Sequence, residues 1–292
     1  MKIILKIIYN FLLILDRIIE RFFKKSFLYY LKELFEKDLY IKKEILNKKI
    51  SFYIPNKTTK WRVKTFYEKE PETLEWIDGF DDEKKIIFWD IGANIGLYSI
   101  YAALKYRNIE VISFEPSTNN LRVISRNISI NNLEEKIKIN QFPLSDKINE
   151  FASMNESEFI EGWSMGTFAY QNDVEGKNFV PKQKYKILGT TVNFLLDSKI
   201  LNTPNYIKID VDGIEHMILK GADRHLDNKN IKSVLIELNE NFKDQYDTVL
   251  EIMKNNNFKI KFKKRADNFY VGNSTDEKEN KFSKIFNYIF ER

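Results

Sequence analysis

At 292 residues the chain is long enough for one large α/β domain with additions or for two small ones. It has no cysteine, which excludes disulfides, thiolate metal sites and a cysteine nucleophile. The net charge of +5 is unevenly spread: residues 1–50 hold 12 Lys and Arg against 6 Asp and Glu, and the remainder 35 against 36, so the body of the chain is not a basic nucleic-acid groove.

Residues 1–50 read as a basic amphipathic helical extension. Ile4, Ile7, Ile8, Phe11, Leu15, Ile18 and Phe22 recur at helical spacing, with Lys2, Lys6, Asn10, Arg17, Arg21 and Lys24 on the other face. The longest uncharged run, Ile7 to Leu15, is 9 residues, short of the ~20 that span a bilayer. The stretch Asp16 to Glu20 offers no small-residue cleavage site. Two kinds of partner suit the apolar face: an anionic membrane surface met by residues 1–25, or protein, either the body of this chain or a sister subunit in a homo-oligomer.

Residues 51–85 form a lead-in: a strand at Ser51 to Ile54, a turn at Pro55-Asn56, the stretch Trp61 to Tyr67, then a helix opening near Pro71-Glu72, where proline in the first turn costs no hydrogen bond. Strands are expected at Ile86 to Trp89, Ile109 to Phe114, Ile137 to Gln141, Tyr206 to Asp210 and Ser233 to Glu237, with helical patterns between most of them. That alternation predicts an α/β fold with a doubly wound, mostly parallel sheet over residues 86–273. A terminal antiparallel hairpin is expected from Phe258 to Phe262 and Phe269 to Gly272, followed by a C-terminal helix over 274–292. Between Pro143 and Pro204 the rhythm breaks, and an insertion at about 147–204 is expected to carry strands of its own and to cover the active site. Within it Trp163, bracketed by Gly162 and Gly166, suits either stacking on a sugar ring or packing in a hairpin turn.

The chemistry starts at Asp90 to Gly96, DIGANIG, directly after the first strand. An acidic residue followed by a glycine-spaced turn is how an α/β sheet offers backbone to a nucleotide-like ligand. Asn94 stands where a pyrophosphate-binding loop needs its middle glycine, and Asp90 would repel an anion but attract the cationic S-adenosylmethionine. Glu115, 19 residues beyond Gly96, ends the second strand, where a carboxylate can accept both ribose hydroxyls. The competing reading is a strand, turn and helix in which Asp90 and Gly92 only shape the turn.

A second constellation, KIDVDGIE, runs from Lys208 to Glu215. Asp210 closes the fourth strand at the same carboxyl edge, where open α/β sheets bind ligands. Lys208 is assigned to the opposite face of that strand. Asp212 and Glu215 match a capping box before Met217 to Leu219 as well as they match a site. His216 and His225 are the only histidines, and His216, beside the site, is a candidate general base. No metal is assigned, although Asp210, Glu237 and Asn239 offer oxygen ligands of the kind magnesium takes.

These residues resemble the FkbM-type S-adenosylmethionine-dependent methyltransferases. DIGANIGLYSI, SFEPS at Ser113 to Ser117, the helix end Asn127 to Leu133, PLSD at Pro143 to Asp146 and KIDVDGIEHMILKGA occur in that family's order and spacing, and Lys69 to Asp78 is similar to a segment that precedes the first strand in many members. The resemblance covers about residues 60 to 240. It implies a class I methyltransferase fold, Rossmann-like, with cofactor contacts at Asp90, Gly92, Asn94, Gly96 and Glu115, Asp146 near the adenine, and Asp210 near the methyl donor. Asn239 departs from the pattern, standing where members often have His.

The expected activity is O-methyl transfer with S-adenosylmethionine as cofactor. Asp210 is expected to position or deprotonate the acceptor, with Glu215, His216 and Glu237 as further catalytic candidates. The resemblance suggests a small-molecule or glycan acceptor, namely a sugar hydroxyl of a glycan, glycolipid or nucleotide sugar, and no nucleic acid. A cytoplasmic location follows, and the basic N-terminus suits peripheral contact with the inner face of the cell membrane. The alternatives are a nicotinamide-dependent oxidoreductase and a membrane-associated scaffold with a degenerate cofactor site.

Overall fold

The computed structural model describes residues 1–264 and 284–292. The chain opens with α1 (Lys2–Phe23) and α2 (Phe27–Lys37), an antiparallel helical pair. Its corner is fixed by Asp16, whose carboxylate accepts hydrogen bonds from Ser26 Oγ at 2.7 Å and Leu28 N at 3.1 Å. The extension is not helical to residue 50. The strands β1 (Tyr40–Ile45) and β2 (Lys48–Tyr53) pair antiparallel, because Leu46 and Asn47 take positive φ angles of 49° and 61° in a two-residue turn that matches strand twist.

Next come α3 (Lys57–Lys64) and α4 (Pro71–Asp78), then β3 (Ile86–Ile91), α5 (Leu97–Lys105), β4 (Ile109–Phe114), α6 (Thr118–Ser129) and β5 (Ile137–Asn140). The insertion carries β6 (Glu150–Glu156), β7 (Gly166–Phe168) and β8 (Gln183–Gly189), a small antiparallel sheet in the order β7-β6-β8. The remaining elements are α7 (Val192–Asp197), β9 (Tyr206–Ile209), α8 (Glu215–Lys220), β10 (Ser233–Asn239), α9 (Lys243–Asn255), β11 (Lys259–Lys264) and β12 (Ile285–Glu291).

The main sheet has the order β11-β12-β10-β9-β3-β4-β5, parallel from β10 to β5. Period-two alternation divides each strand between two cores. Ile86, Phe88, Val111 and Leu235 pack under α4, α5 and α6, whereas Trp89, Ile91, Ile112, Ile207 and Ile236 pack under α7, α8 and α9. The chain runs from β3 to β4 and β5 in one direction and from β9 to β10 in the other. The crevice at the β3/β9 switch point is therefore where this sheet receives ligands.

The C-terminal helix expected over 274–292 is corrected where the chain is described: Ile285–Glu291 is strand β12, antiparallel to both β10 and β11. The reason is composition, since IFNYIFE is dense in aromatic and β-branched residues and fits between two strands with Tyr288, Ile289 and Phe290 buried. β11 does have an antiparallel partner, but it is β12, and the expected strand Phe269 to Gly272 lies outside the described residues. Lysines in KIKFKK leave β11 a charged edge.

Candidate active site

At the carboxyl ends of β3, β4, β9 and β10 lies a cavity of about 600 Å³. Its walls come from the turn after β3, the ends of β4, β9 and β10, the insertion with residues 142–144 before it, the start of β12, and the lead-in segment with α3 and α4. Gly92 is fixed by packing as well as by its φ of 83°. A Cβ there would meet the Asp210 carbonyl oxygen at 1.8 Å, so the β3 turn and the end of β9 touch through bare backbone.

The sequence-selected turn residues separate into two groups. Gly92, Asn94 and Glu115 line the cavity. Glu115 accepts hydrogen bonds from Asn94 N at 2.7 Å and Ser117 N at 2.8 Å, while burial pushes its carboxyl up to about 8. Asn94 leaves its Oδ1 buried without a hydrogen-bond partner among the described residues.

Asp90, Gly96 and Asp146 lie outside the cavity lining. Asp90 is fully buried beneath α5 and accepts from Ser99 Oγ at 2.6 Å. Gly96 serves packing, since a Cβ there would press on Ile124 at 2.8 Å. Asp146 follows Leu144, whose backbone is bridged to Thr190, and its side chain is exposed.

Lys208 sits at the centre of the polar network. It shares a face with Asp210, not the opposite one, because residues two apart in a strand point the same way. Its ammonium, 1 % exposed, lies 2.8 Å from Asp210 Oδ2, 3.9 Å from Asp90 Oδ1 and 5.2 Å from the centre of the Tyr98 ring. Burial would neutralise Lys208, but Asp210, Asp90 and Glu70 hold its proton more tightly than usual. In turn, burial works against an ionised Asp210 and Lys208 overcomes it, so the Asp210 carboxyl stays below its ordinary range.

Glu70, Asp210 and Glu237 bring carboxylate oxygens within 4.8 Å of one another. Glu70 comes from the residue before α4, pairs with Lys69 and accepts from Tyr98 OH at 2.8 Å. Burial, then the charges of Asp210 and Glu70, raise the Glu237 carboxyl well above its usual value. Lys69 and Lys208 thus compensate two carboxylates, Glu70 and Asp210, and leave Glu237 raised. Asn239 is not part of the cluster: its Nδ2 donates to Val174 O at 2.8 Å and its Oδ1 accepts from Asn241 N at 3.0 Å.

Two catalytic candidates, Glu215 and His216, also lie outside the lining. Glu215 is 1 % exposed and absent from the cavity lining, its carboxylate folding back to accept from Val211 N at 3.1 Å and Gly213 N at 3.2 Å. No capping box forms, because Asp212, at a φ of 59°, turns to the cavity and accepts from Met165 N at 2.7 Å. His216 packs edge-on to Phe242 away from the lining, with its pKa lowered by burial. Glu70, Lys69 and Arg62 are among the lining residues that sequence reasoning missed. The segment from Lys69 to Asp78 was the available signal, but nothing in its spacing says that Glu70 meets Asp210.

The family profile described as "Methyltransferase FkbM domain" matches residues 90–260. "Methyltransferase 1" of Beauveria bassiana is 24 % identical over 204 residues, covering 62 % of this chain and 74 % of its own length. "Methyltransferase sdnD" of Sordaria araneosa is 41 % identical over 56 residues, 19 % of this chain and 22 % of that protein. Among solved structures, methyltransferase FkbM from Methylobacillus flagellatus KT superposes with a TM-score of 0.44 at 17 % identity, covering 73 % of this chain and 44 % of that one.

Lys208→Met removes the cation that three buried carboxylates share, and is expected to lower unfolding free energy by about 3 kcal/mol at neutral pH. The deficit should shrink as pH falls and Asp90 and Asp210 take up protons. Urea denaturation at two pH values measures it, and an undiminished midpoint at neutral pH would show that the network tolerates the missing charge.

Proposed function

The chain belongs to the FkbM family of S-adenosylmethionine-dependent methyltransferases, and from that premise we propose that it methylates a sugar hydroxyl of a glycan, a glycolipid or a nucleotide sugar. Methyl transfer with S-adenosylmethionine replaces the nicotinamide and scaffold alternatives. The residues present fit this cofactor. The cavity is in the size range of small-molecule sites, Asn94 keeps an orphaned buried oxygen, and Glu115 has acceptor sites beyond its two backbone donors. Glu115 would hold the ribose, and Glu70 and Asp210 would suit the cationic end. When bound, S-adenosylmethionine supplies a methyl group on a positively charged sulfur.

An acceptor hydroxyl sheds its proton as its oxygen is methylated, so a carboxylate in the cavity has to take that proton. Asp212 is suited to this. Burial, then the neighbouring Asp210 charge, push its carboxyl up to about 6, leaving it ionised at neutral pH yet more basic than a free aspartate. Asp210, held ionised and fixed in place by Lys208, positions the hydroxyl. Glu237, its carboxyl raised by burial and by the charges of Asp210 and Glu70, lies beside them. The sugar reading is carried by one observation: three exposed aromatics, Trp61, Phe142 and Trp163, line the cavity, and rings of this kind stack on a pyranose. Mass spectrometry of surface glycans with and without the gene tests it, the expected result being a difference of one CH₂ group on a sugar.

Glu115→Ala should weaken S-adenosylhomocysteine binding by at least ~1.5 kcal/mol through lost hydrogen bonds. Calorimetric titration measures this, and unchanged affinity would put the ribose elsewhere. Asp210→Asn keeps the size of the side chain but removes its charge, so turnover should fall at least about tenfold while cofactor affinity changes less. Equal turnover would take Asp210 out of the chemistry. Because the base must be ionised, turnover should decline as pH drops through about 6, the value for Asp212. Asp212→Asn should lower the plateau and abolish that limb; a variant that keeps it would assign the titration to another group.

A further inference from the structure

The α1–α2 hairpin leaves a large apolar face uncovered. Along α1 the side that is shielded runs through Leu12, Leu13, Asp16 and Ile19, toward α2. The opposite side presents Ile4, Ile7, Phe11, Ile18 and Phe22, all at least half exposed, with Ile7 63 % and Phe11 64 % exposed. At 1.5 Å per residue the stripe from Ile4 to Phe22 is about 27 Å long, far more than a scatter of single surface hydrophobes. No helix among the described residues is long and apolar enough to cross a membrane.

Charge identifies the occupant. Lys2, Lys6, Arg17, Arg21, Lys24 and Lys25 accompany this face, against Asp16 and Glu20. Asp16 is spent internally, on Ser26 and on the backbone of Leu28. A second copy of the chain would bring the same cations against themselves, whereas an anionic surface neutralises them and receives the apolar stripe. We infer that α1 and α2 dock on an anionic lipid bilayer, with the α1 stripe in the interface and the basic flank among the headgroups.

The hairpin is bonded to the cavity wall. Arg122 of α6 joins Glu36 of α2 at 2.6 Å to Glu161 at 3.4 Å, and Glu161 lies between Ile160 and Trp163 of the lining. Docking therefore holds the wall of the site next to the membrane surface. The inference concerns binding alone and stands whatever the acceptor is.

The test is co-sedimentation of the full chain with vesicles of phosphatidylcholine, with and without phosphatidylglycerol, at low and high salt. Binding is expected on the anionic vesicles at low salt and should be at least about tenfold weaker on neutral vesicles or at high salt. The paired substitutions I7D/F11D and R17E/R21E should each weaken it at least about tenfold, with unaltered S-adenosylhomocysteine binding showing that both variants are folded. Full-length protein that stays in the supernatant with anionic vesicles at low salt overturns the inference, as does equal binding by the paired variants. So does a dimer in analytical ultracentrifugation that I7D/F11D dissociates, since the stripe would then cover a second copy.

Discussion

The buried ammonium of Lys208 is the constraint on which the site depends. Two core-facing carboxylates, Asp90 and Asp210, end neighbouring parallel strands, and without a cation between them their desolvation and mutual repulsion would open the carboxyl edge of the sheet. Lys208 lies beside Asp90 in the β3–β9 register, so strand pairing itself delivers the charge. Tyr98 closes the network from α5 by placing its ring beside the ammonium and its hydroxyl on Glu70. Helix, strands and lead-in segment thus meet at one positive charge.

That arrangement divides the acidic residues by role. Lys208 and Lys69 hold Asp210 and Glu70 below the ordinary carboxylate range, whereas burial raises Asp90 despite Lys208, and burial with the charges of Asp210 and Glu70 raises Glu237. Asp212 falls between these extremes because it is buried beside Asp210 but takes a backbone hydrogen bond from Met165. The four acids Glu70, Asp210, Asp212 and Glu237 therefore differ in acidity within one cavity, which suits proton handling at a hydroxyl.

Additions to the sheet supply what the sheet lacks. β2 is joined to the glycine turn through Asn127, whose side chain accepts from Tyr53 N at 2.8 Å and donates to Ile95 O at 2.9 Å. The insertion is anchored to that turn by Asn94, which donates to Trp163 O at 3.1 Å. The N-terminal hairpin reaches the same wall through Glu36 and Arg122. The segments flanking the cavity are consequently coupled to the most rigid part of the fold rather than hung from its surface.

The sequence by itself determined the parallel sheet, the insertion with strands of its own, and Gly92, Asn94, Glu115, Asp210 and Glu237 at the cavity, because each depends on local signals: apolar period, glycine spacing and the acidic ends of strands. The first helix was legible for the same reason. It could not determine that Asp90 and Gly96 work beneath the lining, that Glu215 and His216 turn away, or that residues 285–291 form a strand between β10 and β11. Those outcomes rest on contacts between separate elements, such as Ser99 on Asp90, Gln245 on Glu215 and the β10–β12 pairing. Glu70 is the sharpest case. Its place beside Asp210, 140 positions later, exists only once α4 has packed over the sheet, since periodicity records which face a residue takes and not what arrives to meet it.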